Sequence, residues 1–147
     1  EPQAIANTAA YRLRARHPER PLKLEISRAL PEIHVDPVLF RRVVDNLLEN
    51  AHKYTPDGTS TIELAVKQTD DQIVFEVADK GVGIAAEDLP NVFTAFFRAE
   101  RSRSRETGGV GLGLTLARRI ADAHGGTVSL ESQLGQGTTA RLMIPSA

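Results

Sequence analysis

Apolar residues recur along this chain with two periods, and the switches between them divide it into elements. From Ala4 to Arg16, Ile5, Ala9 and Leu13 stand at i, i+4 and i+8, the stripe of a short helix. His17-Pro18-Glu19-Arg20-Pro21 ends it. Leu22, Leu24 and Ile26 alternate with Lys23, Glu25 and Ser27, which predicts a half-buried strand over Leu22–Arg28, and Glu32–Val35 reads as a second short strand. Asp36-Pro37 supplies the N-cap and first-turn proline of a long helix. At 100° per residue that helix places Val43, Val44, Leu47, Leu48, Ala51 and Tyr54 on a side that can be buried. Arg42, Asp45, Asn46, Glu49, Asn50, His52 and Lys53 fall on the other.

Beyond the Pro56-Asp57-Gly58 turn, Ile62, Leu64 and Val66 mark one strand. After Asp70-Asp71, Ile73, Phe75 and Val77 mark the next. Asp79 keeps the phase of that apolar row, so its carboxylate points to the buried face and needs a partner. Lys80-Gly81-Val82-Gly83-Ile84 follows at once, glycines that let a backbone pass close to something flat or charged. Glu87–Val92 leaves room for two helical turns. Phe93, Phe96 and Phe97 are three of the five phenylalanines, and the basic run from Arg98 to Thr107, without periodicity, reads as a mobile loop. It leads through Gly108-Gly109-Val110-Gly111-Leu112-Gly113 into a helix with Leu112, Leu116 and Ile120 on one side, stopped by Gly125-Gly126. Strands Thr127–Ser132 and Thr138–Ile144 close the chain, with Thr138 in phase with Ala140, Leu142 and Ile144 and so also directed inward.

Composition narrows the function classes. At 147 residues the chain is expected to form a single domain, 1–147, with a real core. A net charge of −1 gives no sign of nucleic-acid binding through bulk charge. The absence of cysteine removes disulfide frameworks and thiolate metal sites. No apolar run is long enough to cross a membrane and no signal peptide opens the chain, which does not begin with Met and reads as a piece of a larger protein with a cytoplasmic location.

Asn46, Asn50 and Lys53, at i, i+4 and i+7, form one stripe of two carboxamides and an ammonium that suits a ligand carrying phosphate and a divalent cation. A solvated helix face is the plain alternative for that stripe taken alone. Gly81-x-Gly83-x-x-Ala86 is not a dinucleotide fingerprint, because the helix after it is too short and no acidic strand end follows. Gly108–Gly113 lacks the Gly-Lys-Ser/Thr ending of a P-loop, but glycines at a helix N-terminus still cradle phosphate. His17, His34, His52 and His124 show no metal-ligand spacing, which favours surface or packing roles.

Taken in order, Asn46-Leu-Leu-Glu-Asn50-Ala-His-Lys53-Tyr54-Thr, Asp79-x-Gly81-x-Gly83-Ile84, Phe93-x-x-Phe96-Phe97-Arg98, Gly109-x-Gly111-Leu112-Gly113-Leu114 and Gly135-x-Gly137-Thr138 resemble the boxes of the ATP-binding catalytic domain of bacterial sensor histidine kinases. The resemblance covers nearly the whole chain. It implies an α+β fold, a two-layer sandwich of a mixed, mostly antiparallel sheet on helices, shared with gyrase and the heat-shock chaperones, with ATP held among the helices under a flexible lid from Phe93 to Gly113. It implies ATP and Mg²⁺ as ligands. Asp79 would accept the adenine amino group, supported by Thr138, often through water; Asn50 would hold Mg²⁺, Lys53 would meet phosphate, and Tyr54 would lie by the nucleoside. Arg98 would reach the γ-phosphate, and with Asn46 it occupies a catalytic position. Gly81, Gly83, Ile84, Phe93, Gly109, Val110, Gly111, Leu112, Gly113 and Leu114 complete the ATP contacts carried over. The implied partners are an acceptor-histidine dimerisation domain of the same protein and a response regulator, the parent being a membrane-anchored homodimer and this piece monomeric.

Lys80 and Val110 stand where asparagine and threonine are common in that family. The family's phosphoacceptor segment, a His followed by an acidic residue and then a basic-Thr-Pro run, does not occur in this sequence. His17-Pro18-Glu19-Arg20-Pro21 does not replace it, because Pro18 would break the long helix an acceptor needs. Gyrase-type ATPases and serine-directed anti-sigma kinases of this fold carry a glutamate as general base four residues before the metal asparagine. Asn46 holds that place here and cannot take a proton. The pattern therefore favours phosphoryl transfer to histidine over hydrolysis. The alternative is a non-catalytic nucleotide-sensing or partner-docking module.

Overall fold

The computed structural model describes residues 1–89 and 113–146. In chain order the elements are α1 (Pro2–Arg16), β1 (Leu22–Ile26), α2 (Pro37–Lys53), β2 (Ile62–Thr69), β3 (Gln72–Asp79), α3 (Gly113–Ala123), β4 (Thr127–Gln133) and β5 (Gly137–Pro145). The strands form one sheet in the order β1-β2-β3-β5-β4. β1 runs parallel to β2, which requires a crossover, and α2 lies in that crossover. The other pairs are antiparallel, and Asp70-Asp71 closes the tight turn between β2 and β3.

Strand alternation decides which face the helices cover. Ile62, Leu64, Val66, Ile73, Phe75, Val77, Ala140, Leu142 and Ile144 are buried and meet Val43, Val44, Leu47, Leu48 and Ala51 of α2. The opposite face is polar and ties itself together across strands. Arg141 Nε lies 2.8 Å from Glu76 Oε2, its Nη1 2.6 Å from Glu131 Oε1, and Lys67 Nζ 3.5 Å from Glu76. A sheet covered on one side and ion-paired on the other gives the two-layer α+β sandwich expected.

The N-terminus of α2 forms as its sequence dictates: Asp36 Oδ1 accepts from Val38 N at 2.9 Å and Leu39 N at 3.1 Å. His124 joins this end to α3. Its Nδ1 donates to Ile120 O at 2.7 Å, which fixes the tautomer, so Nε2 accepts from Asp36 N at 3.1 Å.

Two expectations change. Residues 32–35 form no strand: Ile33 and Val35 pack on the core, but no described strand lies beside them to complete a ladder. In α3 the buried positions are Ala117 and Ala121, with Leu114 and Ile120 partly buried, while Leu116 is 49% exposed. Small alanines let α3 sit close, and that contact outranks the larger leucine. Of the short helix expected over Glu87–Val92, Asp88 N and Leu89 N both return to Ala85 O, and the remainder lies outside the described residues.

Phe40, fully buried, sets its ring edge-on to Phe75 at 5.7 Å and to His124 at 5.9 Å. Phe40→Ala is expected to cost about 3–5 kcal/mol in urea unfolding. A cost below about 1 kcal/mol would contradict this packing.

Candidate functional site

The polar side of α2 is two stripes rather than one. Asp45, expected toward solvent, is 9% exposed and faces α1, with Oδ2 3.2 Å from Arg12 Nε and 3.5 Å from Arg41 Nε. One turn on, Glu49 meets Arg16 Nε at 2.7 Å and His17 Nε2 at 3.1 Å. His52 follows, stacked on His17 with ring centroids 3.7 Å apart. These groups pair because α1 lies against them, which spacing along α2 alone does not reveal. The second stripe is Asn46, Asn50 and Lys53. Asn46 and Asn50 are half-buried, Lys53 is exposed, and none of the three side chains bonds to a described residue. Among the described residues, two carboxamides and an ammonium in a row are left uncommitted.

Arg20, which the sequence offered only as part of a helix-ending run, secures the end of α2. It is 6% exposed and forms no ion pair with a carboxylate among the described residues. Its Nε donates to His52 Nδ1 at 2.9 Å, Nη1 to Asp57 O and Ser60 O, and Nη2 to Thr55 O at 2.6 Å. A cation on the carbonyls at a helix C-terminus complements the helix dipole. It holds the backbone on both sides of Tyr54, the half-buried C-cap residue of α2.

Tyr54 O accepts from Val82 N at 2.9 Å, which docks the loop after β3 on the end of α2. This explains Gly81: a Cβ there would lie 2.0 Å from Tyr54 O. At Gly83, φ is +73° and a Cβ would lie 2.1 Å from Gln133 O, while Gly135 N donates to Val82 O at 2.7 Å. The close approach inferred from these glycines is to protein backbone.

Asp79 pairs with Thr138 across β3 and β5, and Thr138 with Ser132 across β5 and β4. Asp79 Oδ1 accepts from Gly81 N at 2.8 Å and Thr138 N at 3.2 Å. Burial raises its pKa from 3.8, opposed by those two N–H groups and more weakly by the charge of Arg20. The Thr138 hydroxyl bonds to Ser132 Oγ at 2.7 Å rather than to Asp79. Ser132 also accepts from Ile84 N at 2.7 Å and donates to Gly137 O at 2.9 Å. Sequence reasoning missed Ser132; its place opposite Thr138 in a hairpin register is the signal that finds it. Gly113 opens α3 and Leu114 packs on the core, whereas Phe93, Arg98, Gly109, Val110, Gly111 and Leu112 lie outside the described residues.

Two pH effects follow. Burial, then the charges of His17 and Arg20, lower the His52 pKa from 6.5 against the opposing pull of Glu49. The unfolded chain therefore binds the proton more readily, and stability falls as pH drops below 6.5. His52→Asn is expected to flatten that slope in melts from about pH 7 to 5; an unchanged slope would contradict it. Asp79 has the opposite sign: its raised pKa gives stability that is lost as pH rises through the folded value. Asp79→Asn, still accepting from both N–H groups, is expected to melt at or above the parent temperature at neutral pH. A drop of more than about 5 °C would contradict that account.

Among the described residues no helix is long and apolar enough to cross a membrane, and no cluster of His, Cys, Asp or Glu forms a ready metal cage. The family model for histidine kinase-, DNA gyrase B-, and HSP90-like ATPases matches residues 35–147. Sensor histidine kinase WalK of Bacillus subtilis (strain 168) is 35% identical over 127 residues, 83% of this chain and 21% of that protein. Sensor-like histidine kinase SenX3 of Mycolicibacterium smegmatis is 41% identical over 110 residues, 75% of this chain and 28% of that one. The chain thus spans well under a third of these two relatives' length. Among solved structures, the mycobacterial sensor histidine kinase MprB shares the fold, with a TM-score of 0.84 at 23% identity over 98% of this chain and 93% of that one. Full-length ShkA in complex with AMPPNP gives a TM-score of 0.85 at 29% identity, covering all of this chain and 30% of that one. The chain belongs to the family of histidine kinase-, DNA gyrase B- and HSP90-like ATPases.

Proposed function

We propose that this chain binds Mg-ATP and presents its γ-phosphoryl group to a histidine on a separate dimerisation domain of a sensor kinase. The observation that carries this reading is the uncommitted stripe of α2, running toward a helix end on which the Asp79 loop docks. Asp79 keeps Oδ2 without a hydrogen bond from a described residue, so it can accept from the amino group of adenine. Lys53, exposed at the last turn, supplies a cation for phosphate.

The carboxamide oxygens of Asn50 and Asn46 fit a magnesium ion that keeps phosphate oxygens and waters as its other ligands. Asn50 would hold it, and the ion would supply charge neutralisation on the phosphates. With no acidic cage among the described residues, metal affinity then depends on bound nucleotide. Asn46 offers a carboxamide where hydrolysing relatives would need a base, so water is not activated. A neutral imidazole nitrogen is already nucleophilic, and the chain's part is to position phosphate. His52 cannot be that acceptor, since its Nδ1 is held by Arg20 and its ring by His17. The parent is a homodimer anchored in a membrane, its partner a response regulator.

Two measurements test this. Asn50→Ala is expected to remove most of the magnesium dependence of ATP binding in calorimetry, and a normal magnesium response would overturn the metal assignment. With γ-labelled ATP the chain alone should neither release phosphate nor label itself, and adding a dimeric hairpin bearing the parent's acceptor histidine should yield acid-labile label. ATP binding with no transfer under any arrangement would mark a nucleotide-sensing module instead.

A further inference from the structure

Three residues stand in a row across the end of the sheet: Asp79 on β3, Thr138 opposite it on β5, and Ser132 opposite Thr138 on β4. Cross-strand partners share a face, so the row belongs to the same wall. Its outermost member is the most constrained. Ser132 Oγ has contacts at 2.7 Å with Ile84 N, 2.7 Å with Thr138 Oγ1 and 2.9 Å with Gly137 O.

Counting protons fixes the direction of each bond. A hydroxyl carries one hydrogen and two lone pairs. Ile84 N–H can only donate, so Ser132 accepts there. Gly137 O can only accept, so the single Ser132 proton goes to it. The contact with Thr138 must then run from the Thr138 hydroxyl to Ser132. Thr138 has thereby spent its proton, and no described residue donates to its remaining lone pairs. Beside it, Asp79 Oδ2 is an acceptor as well.

We propose that Ser132 is a specificity-determining positioning residue: by taking the Thr138 proton and holding Ile84 N, it makes the Asp79–Thr138 row accept only, which selects a purine bearing an amino group at its 6-position and rejects one bearing a carbonyl. This rests on the reading of Asp79 as the adenine-facing carboxylate. Ser132 does not itself need to touch the nucleotide. Without its oxygen the Thr138 hydroxyl is free to rotate and donate, and the row loses its polarity.

The test compares ATP with ITP, which differ at the 6-position of the base, by calorimetry on the full chain and its variants. The parent should prefer ATP. Ser132→Ala should weaken ATP about tenfold, the scale of one lost polar bond, while weakening ITP less or strengthening it, so the ATP:ITP ratio collapses. Ser132→Thr, which keeps the hydroxyl, should restore the ratio. Amide signals of Ile84 and Thr138 should move in Ser132→Ala and return in Ser132→Thr. If Ser132→Ala does not fold, as judged by its melt, Thr138→Val replaces it: with the accepting hydroxyl gone, ATP should weaken more than ITP and the ratio should fall. An equal fold-loss for both nucleotides would show that Ser132 merely braces the hairpin and would overturn the proposal. Failure of the parent to bind ATP at all would instead overturn the reading of Asp79.

Discussion

The hydrogen bond from Val82 N to Tyr54 O fixes the arrangement on which the rest of the site depends. It joins the C-terminus of the central helix to the loop leaving β3, and so brings the α2 stripe and the Asp79 carboxylate to one end of the sandwich. It needs two supports. Gly81 must lack a side chain, since the Tyr54 carbonyl occupies that space. Arg20 must hold the carbonyls around Tyr54, because a helix end otherwise leaves them to water. A buried arginine bonded to carbonyls, with no carboxylate among the described residues, is costly to desolvate. The fold keeps it where the last turn of α2 has to be rigid.

Charge on α2 is distributed by the same logic. Asp45, Glu49 and His52 are engaged by α1 and by the chain that follows it, which seats the first helix on the second. Asn46, Asn50 and Lys53 bond to no described residue, and in the function proposed they are what α2 offers a ligand. A helix that paired all of its polar groups would be better anchored but would have nothing to offer phosphate. Asp79 follows the same trade. Burial disfavours its charge in the absence of a ligand donor, and two backbone N–H groups restore only part of what solvent supplied.

Much of this was legible in the sequence because it rests on local rules. The phase of Ile73, Phe75 and Val77 predicts which way Asp79 points, Asp36-Pro37 predicts where α2 begins, and helical spacing predicts the stripe. What stayed hidden depends on contacts between distant segments. Nothing within α2 marks Asp45 as buried, because Arg12 reaches it from a helix 33 positions earlier. Arg20 looked like punctuation because its partners lie more than thirty positions downstream. Leu116 was placed with the apolar side of α3, yet the closeness that Ala117 and Ala121 permit turns it outward. Gly81 and Gly83 do mark a close approach, but what they admit is neighbouring backbone. Ser132 was passed over because a serine in an alternating strand carries no signal until its cross-strand neighbours are known.

The central claim is that the free stripe of α2 and the Asp79 row form one nucleotide site. Backbone amide shifts followed by nuclear magnetic resonance during addition of Mg-ADP test it most directly. The account predicts that Asn50, Lys53, Gly81, Ile84 and Thr138 move together along one saturable curve, while Glu76 and Arg141 on the ion-paired sheet face stay still. Shifts confined to that outer face, or movement of the stripe without the Asp79 row, would contradict it.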